Sequence, residues 1–145
     1  MPLALLGREP FMPAKVPVRP ENHYRFPAVL LPAFGLGQWL LMGSSAHALL
    51  RLTSHPSALA RVLDTIGLGM LIPMPALWIA DATLIATNRF RMPELGFVNV
   101  PTQLWETALI AIGLYVHLGA PLPSAVLAAT AASTVYVLGA ARVLR

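Results

Sequence analysis

Residues 27–50 read PAVLLPAFGLGQWLLMGSSAHALL, a run without one Asp, Glu, Lys or Arg. A helix rises about 1.5 Å per residue, so this run is long enough to cross the roughly 30 Å hydrocarbon core of a bilayer. Pro32 falls in its first turns, and its polar residues Gln38, Ser44, Ser45 and His47 lie in the second half. The whole chain supports the reading. Its 145 residues are 57% hydrophobic and 11% charged, and the mean hydropathy is +0.68. Soluble domains carry about 25% charged residues, so there is too little charge here to cover a water-facing surface.

Three more spans follow. Residues 58–87 are apolar through 66–86 but contain Pro73 and Pro75 near the middle. Each proline removes a backbone donor and crowds the preceding turn, which predicts a kink or break. Inside a bilayer such a break must be packed against protein, because lipid offers no hydrogen bonds. Residues 88–102 read as a polar loop, 103–120 as a third span, and Pro121-Leu122-Pro123 as a tight turn into a fourth at 124–144. The expected architecture is an all-α integral membrane protein of about four transmembrane helices, with an extended tail over residues 1–26. The tail's five prolines favour polyproline II over helix. It begins with no basic residue and a short apolar run, so no cleaved signal is expected.

In the fourth span Ser124, Ala128 and Ala132 recur every four positions, as do Ala125, Ala129 and Ser133. Such spacing lets helix backbones approach closely in lipid. Gly35-Leu-Gly37 and Gly67-Leu-Gly69 are read as packing glycines too. Trp39 and Trp78 are read as packing residues, and Trp105 as an interface anchor.

Orientation follows from the basic residues. Arg8, Lys15, Arg19 and Arg25 precede the first span, Arg89 and Arg91 fall in the loop after the second, and Arg142 and Arg145 end the chain; only Arg51, in the first connection, and Arg61, at the start of the second span, fall on the other side. The positive-inside rule then sets both termini in the cytoplasm of a multi-pass protein of the inner (plasma) membrane. The same scatter of basic residues at span edges argues against nucleic acid as a partner, which would need them clustered on one face.

The chain lacks cysteine, which excludes thiolate metal sites, disulfides and cysteine nucleophiles. No hydrolase, zinc-protease, phosphate-loop or dinucleotide motif is present, so no enzymatic activity is expected. What remains is the set of polar groups inside the spans, which are functional candidates by default. Asp81 falls inside the hydrocarbon and is expected to be protonated or paired with Arg89, Arg91 or a residue of the third span. Asp64 lies early in the second span. Glu106 is placed at the N-terminus of the third span, solvated and favoured by the helix dipole. His47 and His117 are candidate axial ligands to haem or chlorophyll, or hydrogen-bonded interface residues. Bound lipid is expected, and no metal.

One segment has a family likeness. His47-Ala-Leu-Leu-Arg51, a Thr-Ser-His-Pro-Ser connection, Ala60-Arg-Val-Leu-Asp-Thr-Ile-Gly-Leu-Gly69 and Pro73-Met-Pro75 together resemble the prokaryotic Yip1-domain membrane proteins. The chain departs from that pattern in its turn, where the family carries glycines, and in having four spans rather than five. The resemblance implies a polytopic, non-catalytic membrane protein and assigns no functional residue.

The leading expectation is a non-enzymatic accessory or scaffold subunit packed among other membrane-protein subunits. Its tail would dock through Phe11, Tyr24 and Phe26, with Arg8 and Arg19 facing acidic groups or lipid phosphates. The alternatives are a small transporter or ion-conducting protein, resting on the broken second span and Asp81, and a cofactor-carrying subunit of an electron-transfer or photosynthetic complex.

Overall fold

The structure, a computed structural model, describes residues 25–87 and 92–143. These form five helices: α1 Arg25–Leu52, α2 Leu59–Leu71, α3 Met74–Ala86, α4 Met92–Leu118 and α5 Leu122–Val143. No strand occurs among the described residues. Two helical stretches are long and apolar enough to cross a membrane, Leu59–Leu84 taken through the proline break and Leu122–Gly139.

Helices α1, α5, α4 and α2 close a ring in which each packs on two neighbours, while α3 continues beyond α2 and lies against α4. Their connections explain the ring. Helix α1 ends where the His55 amide donates to the Leu50 carbonyl at 2.8 Å and the Ser54 amide to Arg51 at 3.1 Å. This pair of reversed bonds satisfies carbonyls that the helix end would leave open. Ser54 adopts the required left-handed conformation at φ 60°. The short link that follows brings α2 back along α1. Ala58 takes the N-cap position of α2 without a side-chain cap, and the buried Ser57 hydroxyl finds no partner. At the end of α4, Gly119 turns the chain at φ 67°, a region that costs other L-residues about 1–2 kcal/mol. The His55 ring Nε2 donates to the Leu118 carbonyl at 3.0 Å, which pins the two hairpin ends together at one end of the bundle.

The core is built from Met42, Ala46 and Leu50 of α1, Val62 and Ile66 of α2, Ile110 and Leu114 of α4, and the alanines of α5. Ala125, Ala128, Ala129, Ala132 and Ser133 are all buried. This is one stripe at helical spacing, and its small side chains let α1 and α4 pack close to α5. The expected small-residue seam is thus the inner face of α5, with Ser124 half-buried at its start.

The glycines that set helix approach differ in part from those read from the sequence. A Cβ on Gly69 would lie 2.5 Å from Ile110 Cγ1 and 3.4 Å from the Ile110 amide nitrogen, and one on Gly113 would lie 2.6 Å from Thr65 Cγ2. The two pairs fix the antiparallel crossing of α2 and α4. Gly43 meets Leu63 in the same way between α1 and α2, whereas a Cβ on Gly35 or Gly37 would meet no described neighbour within 4 Å.

Three further expectations are corrected. Residues 92–102 are helix and not loop: α4 starts at Met92 and runs through Pro101. Pro93 falls in its first turn, where the missing N–H is not needed, and Pro101 is carried as an interior proline. Trp105 then stands near the middle of α4, away from its ends, and is 45% exposed. Trp78 points outward from α3, while Trp39 does pack, donating from its indole N–H to the Leu63 carbonyl at 2.9 Å.

The helix expected over residues 58–87 is broken at Pro73, which is fully buried. The Ile72 amide still donates to Leu68 at 3.1 Å, and Leu77 to Pro73 at 3.1 Å. Pro73 and Pro75 have no N–H, so the Gly69 and Leu71 carbonyls lack the donors a continuous helix would supply.

Candidate functional site

A layer of polar side chains crosses the bundle at mid-length. Gln38 lies at the middle of α1, Glu106 and Thr107 near the middle of α4, Ser133 at the middle of α5, and Pro73 at the middle of the α2–α3 unit. Helix α1 spans about 42 Å and α4 about 40 Å at roughly 1.5 Å per residue, so this layer is far from the ends of both.

The parts of the layer are joined across helices. Gln38 is 6% exposed, and its Nε2 donates to the Tyr136 carbonyl at 2.9 Å. Gly139 leaves room for it, since a Cβ there would sit 2.8 Å from that nitrogen. The Thr107 hydroxyl donates to the Gln103 carbonyl at 2.7 Å and lies 2.7 Å from the Ser133 hydroxyl. A hydroxyl has one proton to give, so Ser133 donates to Thr107. Bonds of this kind contribute about 0.5–1.5 kcal/mol each.

Glu106 is the exception in this satisfied network. It is 8% exposed, and its Oε1 is buried with no hydrogen-bond partner. One turn before it on the same face, the Gln103 Nε2 is also buried and unpartnered. The Tyr136 phenol lies within electrostatic reach of the carboxyl. The reading of Glu106 as a solvated residue at a helix start is therefore corrected. With α4 beginning at Met92, Glu106 stands about 21 Å along the helix axis at roughly 1.5 Å per residue. The sequence did carry a signal for this: Glu106, Ile110 and Leu114 recur every four residues, which puts the carboxyl on the stripe that faces the core.

The proline break belongs to the same layer. Thr65 packs against Gly113 and Gly69 against Ile110. Extrapolated one turn, past Leu71 where α2 ends, that antiparallel register sets the buried Pro73 at about the level of Glu106.

The other candidates are dispersed. Asp81 sits on α3, half-buried, with Oδ1 buried and unpartnered; its expected partners Arg89 and Arg91 lie outside the described residues. Asp64 is exposed on α2. His47 is half-buried on α1 with Nδ1 unpartnered, and His117 is exposed near the end of α4. Helices α1 and α4 stand across the ring from each other rather than side by side. Among the described residues no three of His, Asp and Glu converge as metal ligands. His117 closes one end of an apolar groove of about 270 Å³ between α2 and α4, lined by Leu68, Gly69, Ile72, Leu109, Ile112 and Val116 among others. The tail residues Phe11, Tyr24, Arg8 and Arg19 lie outside the described residues, as does the side chain of Phe26.

No protein-family model, curated protein or solved structure matches the chain.

Proposed function

We propose that the chain is a non-enzymatic, four-span protein of the inner membrane, with both termini cytoplasmic, that serves as an accessory or scaffold subunit of a larger membrane complex. The spans are α1, the α2–α3 unit, α4 and α5. The observation that carries the reading is Asp81 on α3. This helix is apolar but for Asp81 and Thr83 and packs along one face, with Trp78 61% exposed and Ile79 69% exposed. Lipid can cover such a face, but it cannot serve a carboxylate oxygen that has no partner among the described residues. A polar group on a neighbouring subunit's span completes it, and such contacts hold helices together in membranes. The proline-rich tail supplies a second contact, through Phe11, Tyr24 and Phe26 with Arg8 and Arg19. The α2–α4 groove suits an acyl chain of a bound lipid. The likeness to prokaryotic Yip1-domain proteins points the same way, towards a polytopic protein without catalysis.

The test is native electrophoresis of membranes solubilised in mild detergent. The wild type and Asp81→Asn are expected to migrate in a large assembly, because the amide keeps a hydrogen bond available. Asp81→Leu is expected to release the chain from it. Migration of the wild type at the mass of a lone chain contradicts the reading.

A further inference from the structure

We propose that Glu106 and the proline break level with it form an intramembrane site for one monovalent cation, either a proton or an alkali ion. This function goes beyond assembly with a partner. Three observations converge on it. The Glu106 carboxyl is more than nine-tenths buried, and its Oε1 has no partner. A carboxylate at this depth must be neutralised, since an isolated buried charge is far too costly to keep. Second, the described side chains offer no counter-charge at that level. Among the described side chains, the titratable or charged groups on the helices packed against α4 are Tyr136 on α5, Arg61 and Asp64 on α2, and Asp81 on α3. Arg61 and Asp64 are exposed towards the far end of α2, and Asp81 stands two turns beyond the break. Tyr136 alone is near, and it cannot supply a positive charge.

Third, oxygens suited to a cation lie on the elements that meet near this level. Pro73 and Pro75 withdraw the helical donors from the Gly69 and Leu71 carbonyls, and Thr107 and Ser133 bring two hydroxyls from α4 and α5. Interrupted helices in membranes present unwound carbonyls to small cations in this manner. Either cation neutralises the carboxyl, so occupancy is a competition between them.

The experiment uses the full chain, purified in mild detergent, and a hydrophobic carbodiimide, which adds to protonated carboxyls buried in apolar surroundings. Peptide mass spectrometry locates the adduct. Labelling at Glu106 is expected to rise as pH falls and to disappear in Glu106→Gln, whose helix content and elution volume should match the wild type. Suppression by sodium or lithium at fixed pH shows that an alkali ion shares the site; labelling that responds to pH alone identifies the ion as the proton. A second variant, Pro73→Ala, keeps the carboxyl and restores a donor to the Gly69 carbonyl, and it should shift the pH midpoint of labelling. The proposal is overturned if Glu106 stays unlabelled at every pH, or if its labelling ignores both pH and alkali ions. An unchanged midpoint in Pro73→Ala overturns the part assigned to the break. None of these outcomes depends on the assembly state read through Asp81.

Discussion

Glu106→Lys is expected to abolish the folded bundle, while Glu106→Gln stays within about 1 kcal/mol of the wild type. The glutamine keeps the shape and the capacity for hydrogen bonds. Lysine places a permanent charge at the middle of α4, in a position that is 8% exposed in the wild type. Charged residues at the centre of a span cost about 2.5–3.5 kcal/mol on insertion scales, and further loss follows from leaving the charge unpaired within a packed core. A lysine near a helix end escapes by extending to the interface, but about 20 Å of helix on either side denies that route here. The yield of monodisperse protein after mild extraction, with its thermal unfolding midpoint, measures the effect. Near-equal behaviour of the two variants would mean that Glu106 faces water.

Gly69→Val is expected to destabilise the bundle by about 1–3 kcal/mol, the usual range for forcing extra volume into a packed core. The new Cβ would meet Ile110 Cγ1 at 2.5 Å, and Ile110 is fully buried and branched at Cβ, so it has little room to turn aside. The backbone of α4 is only 3.4 Å away at the Ile110 nitrogen, so the helices themselves must separate. Gly113→Val acts on the adjoining row through Thr65, and the two losses should not simply add because they share one interface. Gly35→Ala is the control. A Cβ there would meet no described neighbour within 4 Å, so alanine should raise stability by up to about 1 kcal/mol through helix propensity. Thermal unfolding in one detergent orders the three variants. Equal losses at Gly69 and Gly35 would contradict the crossing described for α2 and α4.

The helical class of the chain was legible because it depends on quantities a sequence carries directly: the length of uncharged runs and the scarcity of charge. The break at Pro73 was legible because proline acts locally, and the seam on α5 because small residues repeat at helical spacing. The N-terminal half of α4 was not. Pro93, Pro101 and the polar residues between them resemble a loop, yet a proline in a first turn is compatible with helix and an interior proline is tolerated where packing holds it. That single misreading displaced Glu106 from the middle of a helix to its end and hid the polar layer. Packing glycines were only partly legible, since Gly35 and Gly69 look alike until the partner helix is known. Ser57, a favoured cap by type, yields the cap position to Ala58 because the turn geometry decides which residue stands there.

The central claim is a four-span bundle with the α1–α2 link and the α4–α5 turn on the outside and both termini in the cytoplasm. The chain has no cysteine, so single-cysteine variants report position cleanly. Pro56→Cys and Pro121→Cys, both at exposed positions, are expected to react with a membrane-impermeant thiol reagent added to intact cells. Leu3→Cys and Asn88→Cys are expected to react only after the membrane is opened. Labelling of position 3 or 88 in intact cells, with 56 and 121 protected, would contradict the orientation, and labelling of all four would contradict the membrane bundle itself.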